Sequence, residues 1–193
     1  MKNNAKFIVL FFLCIVALAA QQTQTHRLAN SMQAKLDHLQ KNAAKPRPDP
    51  APTVITEDEI NDYFAAGRVK LPQGVKKITF QGQSGIVTAF LTVDFDEVKA
   101  GRSGPSNPLL SLFNGTHNVR AEADAVGIAG TGKVHIRTVE IDGVAVPRMA
   151  LQFFIDRYLR PKYPDIGMDS AFKLPERIDT ATVGYHKLTV TQK

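Results

Sequence analysis

Val119, Ala121, Ala123 and Ala125 alternate with Arg120, Glu122 and Asp124. A period of two puts every apolar side chain on one side of an extended chain and every charge on the other. Such a segment is a strand with one dry and one wet face, and it needs antiparallel neighbours of the same kind. They are present. "KKITFQG" reads as one strand, and "GIVTAFLTVDFDEV" as a longer one with Val87, Ala89, Leu91, Val93 and Phe95 on one face. In "KVHIRTVEIDG", Val134 and Ile136 share one face and Val139 and Ile141 the other. That change of phase predicts a bulge or bend near Thr138. "GIAGTG" separates the Val119–Ala125 strand from "KVHIRTVEIDG", a short strand is expected near Phe172, and "ATVGYHKLTVTQ" is the closing strand.

Two helices interrupt this pattern. Thr56 and Glu59 form a capping box, with Glu57 and Asp58 at the positive end of the helix dipole. Ile60, Tyr63 and Phe64 make its apolar stripe, and Gly67 stops it. The second helix follows the Asp142-Gly143 turn and starts at Pro147. At 100° per residue, Ala150, Leu151, Phe154, Ile155, Tyr158 and Leu159 cover about half its circumference. Met149 and Phe153 lie on the far side. A surface helix needs one apolar stripe, so this one is either packed on two sides or borders a hydrophobic cavity. The order of elements predicts an α+β fold: a strongly curved antiparallel sheet wrapped around one long helix, with a shorter helix at the start of the domain.

Ahead of the domain, Lys2 and Lys6 precede the apolar run from Phe7 to Ala19, and Ala17-Leu18-Ala19 offers a small-x-small cleavage signal. Residues 1–19 are therefore expected to be a signal peptide, since a span needs about 20 apolar residues. A retained N-terminal membrane anchor is the alternative. Cys14, the single cysteine, lies inside the run after Leu13, where lipidation would require a small residue. Its removal leaves no disulfide or thiol chemistry, which fits a bacterial envelope protein, periplasmic or extracellular. Residues 20–44 carry Leu28, Met32, Leu36 and Leu39 at helical spacing and read as an amphipathic spacer, or else as a contact for a partner helix. In 45–53, prolines at 46, 48, 50 and 52 make a stiff linker. The domain is expected over 54–193, long enough for one core.

Loss of Lys2 and Lys6 takes the formal charge from +6 to +4, with basic residues scattered among acidic ones and no interleaved aromatics. No nucleic-acid partner is indicated. Ser84 in "GQSGI" lacks the second glycine of a nucleophile elbow. His26, His38, His117, His135 and His186 occur singly, without metal-ligand spacing inside the domain. Asp94, Asp96 and Glu97 lack a calcium loop, and "GIAGTG" is neither a dinucleotide fingerprint nor a phosphate loop. Asn114-Gly115-Thr116 matches a glycosylation sequon but is better read as a turn. Arg157, Arg160 and Lys162 complement a helix C-terminus. No active site, metal site or cofactor is expected. "NPLLSLFNG" sets Leu109, Leu110, Leu112 and Phe113 in a connecting loop, a patch that is either tucked under the sheet or used as a membrane-docking gate.

"ITEDEINDYF" (55–64), the Asp142–Pro147 turn into an apolar helix, and "FKLPERI" before a closing strand resemble single-domain bacterial members of the tubular lipid-binding (TULIP) superfamily, of the LmeA type of exported phospholipid-binding protein. The resemblance spans about 55–190. It implies acyl chains held between helix and sheet, with no cofactor and no chemistry. The proline-rich segment and the long 99–116 connection depart from that pattern. On this reading Leu91, Ile136, Leu151, Phe154, Ile155 and Tyr158 line a groove for a phospholipid or other acyl lipid, with transient contact to a membrane surface. Hiding about fifteen methylenes from water is worth roughly 12 kcal/mol at about 0.8 per CH₂. The alternative is a non-catalytic scaffold whose core is simply full, with its protein partner unnamed; an enzyme ranks behind both.

Overall fold

The computed structural model describes residues 27–100, 114–160 and 166–193. The expected signal segment and the Leu109–Phe113 loop lie outside the described residues. The fold is α+β with a nine-stranded antiparallel sheet. Its spine is the hairpin of β4 (Thr116–Ile128) and β5 (Thr131–Ile141). "GIAGTG" makes the turn: Ala129 and Gly130 both have positive φ, the two-residue turn whose twist suits a hairpin.

The expected bulge lies at Arg137, which falls between Ala123 paired to Ile136 and Glu122 paired to Thr138. It explains the change of phase. The extra residue brings Val134, Ile136, Val139 and Ile141 back to one face, that of the β4 alanines.

Both edges of the spine are occupied twice. β4 pairs along its first half with β3 (Ile86–Asp94), which pairs in turn with β2 (Val75–Gln83). Further along the same edge it pairs at Val126 and Gly127 with β8 (Ile178–Gly184). The supposed single closing strand is a hairpin, β8 with β9 (Lys187–Gln192), because Tyr185-His186 forms a turn with His186 at φ 51°. β1 (Thr53–Thr56) borders β9. On the outer edge of β5 sit β6 (Val144–Ala145) and β7 (Asp169–Lys173), the latter at the expected position. Partners laid end to end extend the sheet lengthwise, and it does not curl strongly.

Among the described residues no single long helix runs through the sheet. The apolar helix is α-helical only over Arg148–Phe154. It continues as a π turn over Ile155–Leu159, where the Arg160 amide donates to Ile155 at 2.9 Å. The run thus reads as helical throughout in sequence but changes its hydrogen-bonding period halfway. The strand expected through Val98 also ends early. Asp94 Oδ1 accepts from the amides of Asp96 (3.0 Å) and Glu97 (3.1 Å) and starts a helix over Phe95–Ala100. Among the described residues the α-helices in chain order are α1 (27–43), α2 (Glu57–Ala65), α3 (Phe95–Ala100) and α4 (Arg148–Phe154). No helix among the described residues is long and apolar enough to cross a membrane.

The segment expected to be a solvated spacer is packed on the domain over its described part. In α1, Ala29 is fully buried and Leu39 nearly so. Both halves of the helix are tied down. Ser31 and Lys35 reach Glu59 of α2, each at 2.6 Å, and Tyr63 donates to Gln33 at 2.5 Å. At the other end, buried Asn42 bonds Gln192 (2.8 Å) and both backbone groups of Asp49 at 2.9 Å. Gln192 completes the set by donating to the Leu39 and Glu176 carbonyls. A buried polar network with its partners present fixes one arrangement. The proline-rich linker is therefore folded back through Asp49 and stays close to the domain.

α2 follows β1 directly, with both bonds of the expected capping box. It also closes an edge. The Asn61 amide donates to the Phe80 carbonyl at 2.9 Å and accepts from the Phe80 amide at 2.7 Å, so one side chain stands in for a neighbouring strand. Phe64 packs edge-on against Phe80, with ring centroids 5.1 Å apart. Asn61→Ala should cost about 1–2 kcal/mol and expose the edge to other chains. A lowered urea midpoint together with increased light scattering checks this; an unchanged midpoint speaks against it.

Candidate functional site

The sheet has two unlike faces. On one, Arg120 pairs with Glu122 and Glu140, and Arg137 with Glu122 and Asp124. This is a solvated face laced by cross-strand charges. A shallow depression of about 350 Å³ opens on it, lined by Lys77, Thr79, Phe90, Thr92, Asn118 and Arg120 among others. Its lining mixes Phe90, Leu91 and Val119 with Lys77, Asn118 and the ion-paired Arg120 and Glu140, so it offers no continuous apolar wall.

The other, inner face is apolar from edge to edge. Register places Phe80, Ala89, Ala121 and Val139 in one row across β2 to β5, and Ile78, Leu91, Val119 and Ile141 in the next. Its two ends are closed by protein. Beside β1 and β9, Ile55 and Val190 are buried at 2 % and 3 % exposure. Around α3 and α4, Val93 and Phe95 are buried, with Leu91, Val119, Ile141 and Phe154 packed against them. Between these ends burial is incomplete. Val87, Ala89, Ala121, Ala123, Ala125 and Ile136 are all half-buried. Alanine is the shortest apolar side chain, so this central floor is also low.

The expected groove residues are thus divided. Leu91 and Phe154 come together, but on the Val93–Phe95 cluster, where protein atoms fill the space assigned to a ligand. Ile155, at 1 % exposure, is wholly occupied in packing and presents no surface to a ligand. Leu151 is half-buried on α4, and Ile136 lies on the central floor, its amide bonded to the carbonyl of buried Met168 at 2.8 Å. The side chain of Tyr158 and the whole of Leu109, Leu110, Leu112 and Phe113 lie outside the described residues. The alanine floor itself was in the sequence pattern, but alternation marks a face as apolar without showing what covers it.

Several polar candidates for chemistry have structural partners among the described residues. Asp94 caps α3. Asp96 holds Lys99 at 2.8 Å and the Gly115 amide at 2.8 Å, and these contacts draw its carboxyl below the ordinary range. Glu97 pairs with Lys76. His117 pins the Asp142 turn, Nδ1 to carboxylate at 2.5 Å; that hydrogen bond raises its pKa and lowers that of Asp142. His135 pairs with Asp169, and His186 with Glu57 at 3.0 Å. Ser84 sits in the β2–β3 turn, exposed. No three His, Cys, Asp or Glu converge as metal ligands among the described residues.

No family model, curated protein or solved structure matches the chain.

Proposed function

We propose that this protein is an exported envelope protein that binds or transfers acyl lipid, with the chain lying on the alanine floor of the inner face. The single observation that supports this reading is the incomplete burial of Ala89, Ala121, Ala123 and Ala125 in the middle of an otherwise apolar face. A sheet face of this composition is covered in a folded domain, because each square ångström of bare apolar surface costs about 25 cal/mol. A hydrocarbon chain supplies that cover. It needs width and length but no polar recognition, in keeping with a site that holds no convergent polar groups. The resemblance to the tubular lipid-binding superfamily points the same way. The site differs from the one expected by sequence: it moves away from Phe154 and Ile155, which are packing residues, to the strands between α4 and α1.

Titration of the delipidated chain with a fluorescent fatty acid tests this. Saturable uptake, reversed by an unlabelled fatty acid, is the expected result. An absence of saturable uptake by a correctly folded chain favours the non-catalytic scaffold instead.

A further inference from the structure

The helix whose apolar surplus stood out in the sequence does not bury its second side. Met149 is 84 % exposed and Phe153 47 %. They follow at an interval of four, so they form one row along α4, and Arg157 continues it four residues later. Arg157 is exposed and has no ion pair among the described residues. Arg148, at the start of the helix, has a side chain 64 % exposed and its nearest carboxylate, Asp169, 3.9 Å away. The neighbouring row is different. Gln152 donates to Asp156, at 2.9 Å in the closer contact, and Asp156 pairs with Arg160 at 2.6 Å, so its polar groups satisfy one another. The Met149 row presents two apolar side chains followed by Arg157, and Arg148, four residues before Gln152, heads the neighbouring row beside Met149.

We infer that this row is a bilayer-contact surface, with Met149 and Phe153 entering the head-group boundary of an anionic leaflet and Arg148 and Arg157 meeting its phosphates. The arrangement matches that of helices lying in the interface plane, which sink an apolar side about 5–10 Å and keep cations at the head groups. Arginine forks suit phosphate, and long basic side chains reach back to the polar layer. The formal charge of +4 left after loss of Lys2 and Lys6 favours approach to an anionic surface. A protein partner fits less well, since a stable interface buries about 1,200 Å² or more and excludes charge from its centre. The inference deepens the acyl-binding reading and rests on it for its purpose, by giving the lipid site a point of approach to the membrane.

Position-resolved labelling tests it on the full chain. With Cys14→Ser as background, Met149→Cys carries an environment-sensitive dye, and Ile128→Cys, exposed at the β4–β5 turn, carries the same dye as reference. Vesicles of phosphatidylcholine with phosphatidylglycerol should shift the dye at 149 to the blue and raise its emission, and leave the dye at 128 unchanged. Adding Arg148→Gln and Arg157→Gln should weaken the response at 149 by about tenfold or more. An unresponsive dye at 149, an equal response at 149 and 128, or a shift that follows protein concentration without vesicles each overturns the proposal, the last by revealing self-association. If the dye responds while fatty-acid uptake fails, the docking surface stands and the acyl-binding reading falls. If uptake occurs without a dye response, the docking surface falls and acyl binding stands.

Discussion

Glu59→Ala should lower stability by about 3 kcal/mol at neutral pH, because removing one member of a buried charged cluster strands the rest. Glu59 is 4 % exposed, yet several groups converge on its carboxylate. Burial alone pushes its pKa up. The Lys35 hydrogen bond, then Ser31, then the Thr56 amide outweigh that and draw it from 4.5 down to about 2. A depressed carboxylate stabilises the fold fully above its unfolded pKa and progressively less as pH falls through the folded one. The contribution is therefore complete above about pH 4.5 and drains away towards pH 2, about 3 kcal/mol in all at 1.36 per unit. Since the same oxygens hold α1 through Ser31 and Lys35 and cap α2 through Thr56, the loss should appear as release of α1. Urea denaturation at a series of pH values checks this. The parent chain should weaken steeply between pH 4.5 and 2.5 and Glu59→Ala much less, so parallel curves would contradict the assignment.

Ala123→Phe should abolish acyl uptake and leave stability nearly unchanged. Ala123 is half-buried at the centre of the floor, paired to Val87 on one side and Ile136 on the other. If the space above it is open, a benzyl group lies down in that space, covers apolar surface and excludes the ligand. If the space is already filled, the same change overpacks a core and costs about 1–3 kcal/mol. Ala29, at 0 % exposure in the α1 interface, is the control within the same molecule. Ala29→Phe should carry the full overpacking penalty. The pair of thermal melts, read beside fatty-acid binding, separates an open face from a closed one. Equal destabilisation of both variants would show that the inner face is ordinary core.

How far the sequence reveals this molecule depends on the range of the interactions. Local signals hold well: the Thr56–Glu59 capping box, the period-two strands and the bulge that corrects the phase of Val139 and Ile141 are each written within a dozen residues. Signals that depend on what meets what are weaker. Leu28, Met32, Leu36 and Leu39 show that α1 has an apolar side, but its docking is decided by Asn42 and Glu59, whose partners are distant or on another element. The π turn at Ile155 leaves no trace in hydrophobic periodicity, and the Tyr185-His186 turn lacks the glycine that would have announced it. For the site, the apolar row was legible in Ala121, Ala123 and Ala125; its degree of burial was not, because burial belongs to the packing and cannot be read from one strand.

The most direct measurement is the mass of what the protein carries. The chain, purified without detergent from an envelope-bearing host and examined by native mass spectrometry and solvent extraction, should release an acyl lipid in near-stoichiometric amount and reload after stripping. A chain that emerges bare, stays folded and accepts nothing when offered fatty acid or phospholipid would contradict the account.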